Sequence, residues 1–369
     1  MAFEVDFLPV GNGERSGDAI AVRYGTPGNY TIVIYDGGTK ESGQALVDHV
    51  RQHYQTEYVD HVVNSHPDAD HASGLSVVLE QLKVGTLWMH RPWEYSHIIC
   101  DYFRDGRITS DSLKERLQKK MRAAYDLELL AQSKGIPISE PFQGQAIGLF
   151  HVLSPSADWY VHDLIPAFEK SPEQKLQEEA AAHGAFGLLK SAVFDAAKKA
   201  ATWIAEQWNV ELLREDVETS AENESSVILY GYMAEEQEAV LLTGDAGVRA
   251  LAAAADYLEE NNVSAPTHVK FIQVPHHGSR HNVSSIVLDR LIGPRLPAQP
   301  VQPSRTAFVS AGAESESHPR KMVINAFIKR GFRVIATKGS SVRYPRNMPG
   351  RGWAPATPLT FSDKVEAWD

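Results

Sequence analysis

With 369 residues, 43% of them hydrophobic and 22% charged, the chain can build one large domain or two ordinary ones, and its varied composition excludes disorder as the default state. No stretch nears the roughly 18–20 uninterrupted apolar residues of a membrane helix, and MAFEVDFLPVGNGE has acids and a glycine turn where a secretory leader has bases and an apolar run, so we expect a cytoplasmic protein with no membrane contact. The single cysteine, Cys100, excludes an internal disulfide and a thiolate zinc cluster, and a net charge of −11 argues against a polyanion partner unless the bases are segregated.

They are segregated along the chain. Residues 265–351 carry fourteen Lys and Arg against three acids, Asp289, Glu314 and Glu316, a local charge of about +11. This is either a basic face or a solvated surface that offsets an acidic remainder.

In chain order, Val5–Val10, Ala19–Tyr24 and Thr31–Tyr35 are short β-rich runs separated by the turn segments GNGERSG and GTPGN, predicting an antiparallel meander. A helix over Ser42–His53, a strand over Val59–Asn64, a helix over Ser73–Leu82 and a strand over Thr86–Met89 continue in α/β alternation. Two helical insertions follow, at about residues 100–135 and 158–215, with a strand over Ile147–Leu153 between them. After Asn223 the alternation resumes, with strands at Val227–Tyr230, Ala239–Leu242, Val269–Val274, Thr306–Ser310 and Arg333–Ala336. Helices at Val248–Leu258, Val283–Leu291 and Lys321–Lys329 are interleaved. Strands at both ends predict two sheet halves covered by helices, within a single domain over residues 1–369.

The most informative segment is His66-Pro67-Asp68-Ala69-Asp70-His71, followed by Ala72-Ser73-Gly74. Two imidazoles and two carboxylates in six residues set like charges against each other unless a divalent cation joins them; the plainer reading is a solvated turn with capping aspartates. LLTGDA places Asp245, and VPHHGS places His276 and His277, directly after apolar strands. That is where sites form in layered α/β folds, although a strand-end Asp also serves as a helix cap and paired histidines also occur on surfaces.

These segments occur in order with VGNGERSGDAIAV, IVIYDGG, NESSVILYGY, VPHHGSRHN, SAGAESESHP and IATKGSSV. In that combination the chain resembles the metallo-β-lactamase superfamily, and in particular the hydrolase (nuclease) domain of ComEC-type DNA-uptake competence proteins. The resemblance implies an α/β fold, a four-layer αββα sandwich with helical insertions, and two divalent metal ions along one edge of the sheets. His66, Asp68 and Asp245 would hold the first ion, Asp70, His71 and one of His276 or His277 the second, and Asp245 would bridge them. The usual motif HxHxDH has Asp68 in place of its middle histidine, a form that competence-type relatives share, and the third-motif histidine is Asn223 or absent. Replacing imidazole with carboxylate or carboxamide makes the first position harder, favouring Mn²⁺ or Mg²⁺, with Zn²⁺ open at the second.

Two ions about 3.5–4 Å apart can share one hydroxide and steady the charge of a phosphoryl transition state. Candidates for direct parts in catalysis are Asp68 and Asp70 at the water, His277 as a proton donor to the leaving oxygen, and His318 on a non-bridging phosphate oxygen. His318 also reads as a helix-start residue. Asp36 is expected behind a ligand and Asp18 in a structural turn. Gly11 and Gly13 lack the following GK[ST] of a phosphate loop.

A phosphodiester in nucleic acid is the expected substrate, on the resemblance, the basic C-terminal third and seven bases against three acids in Arg104–Arg122. Trp88, Trp93, Tyr95, Tyr102 and Phe103 would stack bases or fill the core. The alternatives are a small-molecule hydrolase acting on a cyclic nucleotide, lactone or thioester beneath a helical lid, and a component of a larger complex that binds a protein partner through the second insertion.

Overall fold

The computed structural model describes residues 1–13, 17–172 and 203–368. The chain is a mixed α/β protein built on two seven-stranded sheets. The first comprises β1 (Ala2–Phe7), β2 (Ala19–Thr26), β3 (Asn29–Gly37), β4 (Tyr58–Val63), β5 (Lys83–Trp88) and β6 (Ile138–Ser139), with the late strand Val342–Arg346 beside β1. The meander is present, with Val5 opposite Val22 and Val22 opposite Val33; β3 to β6 then run parallel. The second comprises β7 (Ala146–Ile147), β8 (Phe150–Ser154), β10 (Ile228–Met233), β11 (Glu238–Leu242), β12 (Val269–Gln273), β13 (Arg305–Val309) and β14 (Phe332–Ala336). A separate pair joins β9 (Trp203–Ala205) to β16 (Lys364–Glu366), and Val342–Arg346 is β15.

Period-two alternation explains why so many strands read as unbroken apolar runs, because both faces of each sheet are covered. Val33 and Tyr35 of β3 join an apolar cluster with Phe271 and Phe308 of the second sheet, while Ile32 and Ile34 turn to α1 (Lys40–His49) and α2 (Ala69–Gln81). Within the shared cluster the Phe7 ring meets Phe308 edge-on at 5.4 Å, a favoured aromatic geometry. The helices Val248–Glu260, Ser285–Ile292 and Lys321–Lys329 cover the other face of the second sheet.

Several expected elements differ. Ile147–Leu153 is two strands, β7 and β8, because Gly148 at φ +58° turns the chain between them. The first insertion is two helices, Ser110–Lys120 and Arg122–Lys134, broken at Met121, and Leu113, Leu117 and Leu127 sink into the cluster under α1 and α2. In the second insertion, residues 173–202 lie outside the described residues. The expected helix is absent from its last part, where Trp203-Ile204 pair as a strand with β16; the alanine-rich run ends before them, and aromatic and β-branched residues favour pleated pairing. Strand β15 was missed because Pro345 and two arginines interrupt VRYPR, which an edge strand tolerates.

Part of the basic C-terminal third is folded against acids, most of them from the rest of the chain. Arg343 pairs with Glu4, Arg351 with Glu4 and Asp6, Arg346 with Glu238, Lys329 with Glu206, Arg330 with Glu211 and Asp289, and Arg290 with Asp256 and Glu259. The segregation along the sequence is therefore in part a set of internal ion pairs.

His90, just past β5, is buried in an aromatic slot, its ring 4.3 Å from Tyr160 and 4.8 Å from Phe142. Burial pushes its pKa down to about 3. The unfolded chain takes up a proton near pH 6.5 that the folded chain refuses, so stability is full above about pH 6.5 and falls as pH drops toward about 3. His90→Phe keeps the ring stack and is expected to flatten this fall; urea midpoints from pH 7 to pH 4 that drop equally in both proteins would contradict it.

Candidate metal centre

Strand ends bring the site together. Asp36 lies at the end of β3, Ser65 and His66 follow β4, Asp70 and His71 sit in the first turn of α2, Asp245 follows β11 and His276-His277 follow β12. The polar cluster is thus partly helical, since α2 begins at Ala69 rather than at Ser73.

The hydrogen bonds behind the imidazoles fix which nitrogen faces inward. Ser65 donates its backbone N–H and its hydroxyl to Asp36, at 2.7 and 2.6 Å. With that hydroxyl proton committed, the His66 Nδ1–H donates to Ser65 Oγ at 2.9 Å, leaving the His66 Nε2 lone pair bare. His71 donates from Nδ1 to Asp36 Oδ2 at 2.9 Å, and His277 donates from Nδ1 to the Ser310 carbonyl at 3.2 Å. Three Nε2 atoms thus surround Asp245 Oδ2, His71 at 3.3 Å and His66 and His277 both at 3.9 Å.

Bare lone pairs against a buried carboxylate are unfavourable without a positive charge between them. His66 Nε2, His71 Nε2, Asp245 Oδ1 and Asp18 Oδ2 are buried with no hydrogen-bond partner, which fits a divalent cation. Ligand atoms within 4.8 Å of one another occur in Asp70/His71/His277, Asp245/His276/His277, Asp36/His66/His71 and Asp18/His71/Asp245. The carboxylates draw positive charge to this point, whether as a second proton on His71 or as a cation. Burial alone would depress the His71 pKa, and the Asp245 and Asp36 carboxylates overturn this and raise it well above its ordinary value. Burial would raise the Asp245 carboxyl, yet His276, His71 and His277 hold it well below the usual range.

The sequence left His276 and His277 as alternatives. The His277 side chain is 5% exposed and joins Asp70 and His71, whereas that of His276 is 30% exposed and bonds Asp245 and, at 3.4 Å, the Asn223 amide. Both have φ in the left-handed region, 45° and 56°, an uncommon state for a side chain larger than glycine. His318 stands at the rim, its ring 6.4 Å from that of His276, and belongs to none of the ligand clusters.

Asp18, expected in a structural turn, is buried in a ligand cluster with His71 and Asp245, and burial pushes its carboxyl up to about 7. Lys170 was not anticipated at all; it pairs with Asp68 Oδ1 and lies 3.5 Å from Glu222. Nothing in the composition of FEKSPEQK distinguishes this lysine from its neighbours. Among the proposed stacking residues Trp93 and Phe103 are buried in the core, and Tyr95 and Tyr102 bond Glu140 and His162.

Asp36 touches no open space and acts by orienting His71 and, through Ser65, His66. Losing such a partner typically costs about 10–100-fold in metal affinity. We expect that loss for Asp36→Ala in calorimetric titration with Zn²⁺ or Mn²⁺; unchanged affinity would refute the orienting role.

Imidazoles tethered from behind and converging with carboxylates are a donor set of the kind that metal-dependent hydrolases use. Residues 12–104 match the family model of the metallo-beta-lactamase superfamily, whose members are mostly metal-dependent hydrolases. The match takes in Asp18, Asp36 and the whole of His66–His71, while Asp245 and the histidine pair lie beyond it. No curated protein matches the chain. Among the described residues no helix is long and apolar enough to cross a membrane.

Proposed function

We propose that the protein is a metal-dependent phosphodiesterase that cuts nucleic acid, DNA or RNA. The observation that carries this reading is that Asp70, His71 and His277 form one ligand cluster and Asp245 shares others with His71 and with His277, while His71 Nε2 and Asp245 Oδ1 are buried without a hydrogen-bond partner. These four residues would hold a divalent ion, which when bound lowers the pKa of a water and offsets charge on a phosphoryl oxygen. Carboxylates make up half of this set, which favours the harder ions, Mn²⁺ or Mg²⁺, with Zn²⁺ as the alternative. His276, more open than His277 and held by Asp245, is placed to exchange a proton with a leaving oxygen, and His318 stands beside it. The support for phosphodiesters is this donor set together with the HxDxDH resemblance.

We read the two sheets and their helices as an αββα sandwich in a single domain, because one apolar cluster is shared between the sheets and the other two join each sheet to helices.

A specific observation favours a second reading, a small phosphodiester such as a cyclic nucleotide. Several C-terminal bases, Arg330, Arg343 and Arg351 among them, are paired with acids, and Trp93 and Phe103 are buried, which reduces the surface that would track a long polyanion. The partner-binding reading rests on the second insertion, most of which lies outside the described residues. The deciding experiment incubates the protein with end-labelled single- and double-stranded DNA and RNA, and separately with cyclic nucleotides, under Mn²⁺, Mg²⁺ and Zn²⁺. Strand cleavage supports the nuclease, turnover of the small esters alone supports the second reading, and no turnover with metal bound removes both.

A further inference from the structure

The residues that the resemblance assigns to the first cation position do not fit a metal as those of the second do. His66 supplies a single imidazole there. Asn223 offers an amide N–H₂ that donates to Thr219 Oγ1 at 2.8 Å and faces His276 Nδ1 at 3.4 Å, so it turns hydrogen-bond donors toward its surroundings. Asp68 belongs to none of the ligand clusters found among the described residues. Its Oδ1 is taken by the ammonium of Lys170, while Oδ2 lies 3.8 Å from His66 Nε2.

Lys170 is held there by a built network. Glu222, with a side chain 1% exposed, accepts the backbone N–H groups of Glu169 and Lys170, each at 3.2 Å, and lies 3.5 Å from the Lys170 ammonium. Ser171 ties the next residue down by donating to the Ile165 carbonyl at 2.7 Å. The backbone is thus pinned at the residue whose side chain reaches Asp68. A divalent ion beside this ammonium would meet a like charge and compete for the same carboxylate.

We propose that the ammonium of Lys170 takes the place of the first cation, so that the centre holds one divalent ion, at Asp70, His71, Asp245 and His277. The proposal rests on the metal-centre reading given above. It replaces a metal with an ammonium whose N–H donors are engaged by Asp68 and Glu222 on one side, leaving the remaining one for a phosphoryl oxygen.

The test is equilibrium dialysis of the full chain against excess Mn²⁺, and separately Zn²⁺, with ions per chain counted by mass spectrometry. One ion is expected in the wild type and in Lys170→Arg, which keeps the charge. Two are expected in Lys170→Ala and Lys170→Gln, where Asp68 is released; the second variant guards against misfolding of the first. Two ions in the wild type, or one in both neutral variants, would overturn the substitution while leaving the metal centre standing. No ion in any of these proteins would remove the metal centre itself, and the proposal with it.

Discussion

Asp245→Ala is expected to lose divalent metal by more than the roughly 10–100-fold that follows loss of a group merely orienting a ligand, and to lose hydrolysis of any phosphodiester substrate with it. Asp245 Oδ2 is the atom on which the three inward nitrogens converge, 3.3 Å from His71 and 3.9 Å from both His66 and His277. Removing it leaves imidazole lone pairs facing each other without the negative charge that draws a cation among them. The loop itself is held by other means. The Asp245 N–H donates to Ser226 Oγ at 3.2 Å, and its carbonyl accepts from Asn282 at 2.8 Å, so the variant should fold. Calorimetric titration and metal content after dialysis check this, and an unchanged Kd in the folded variant would refute the assignment of Asp245 to the centre.

Gly74→Ala is expected to destabilise the protein by about 3 kcal/mol or more, the upper end of what overpacking costs, and to weaken metal binding as well. A Cβ at Gly74 would lie 1.9 Å from the Gly37 carbonyl oxygen and 2.4 Å from that of Thr39. Both are backbone atoms, so no side chain can swing aside. Gly74 N–H also donates to the Gly38 carbonyl at 2.9 Å, which draws α2 onto the end of β3. Forcing them apart separates His71, on α2, from Asp36, on β3. Gly106→Ala, where a Cβ meets nothing within 4 Å, serves as the control, with an expected change within about 0.5 kcal/mol. Urea midpoints compare the two; equal midpoints would refute the close-approach argument.

What the sequence revealed and what it hid follow from the range of the interactions. The ligand-type residues were legible because each follows an apolar strand, and strand periodicity is a local property. The position of Asp36 behind His71 was likewise legible from the strand-end sequence YDGG. The entry of Asp18 into a ligand cluster was not, because it depends on Gly17 and Asp18 lying against α2, which is more than fifty residues away in sequence. Lys170 was hidden for the same reason: its partner Asp68 is 102 positions away. The charge segregation misled in a complementary way. Counting signs along the chain cannot show that Arg343 and Arg351 are spent on Glu4 and Asp6.

The pairing of β15 with β1 bears on how the protein is made. The carboxylates of Glu4 and Asp6 are fully buried, and the contact from Arg343 to Glu4 spans 339 positions. As the chain leaves the ribosome, the first sheet has an open edge at β1, Glu4 has only Arg23 of its three guanidinium partners, and Asp6 lacks Arg351 until the segment from Val342 to Arg351 has emerged. Contacts this distant slow folding and leave an edge exposed to wrong pairing. The N-terminal part, which carries the HxDxDH segment, therefore depends for completion on residues far downstream, and truncation before Val342 would leave an aggregation-prone edge even though every candidate ligand is still present.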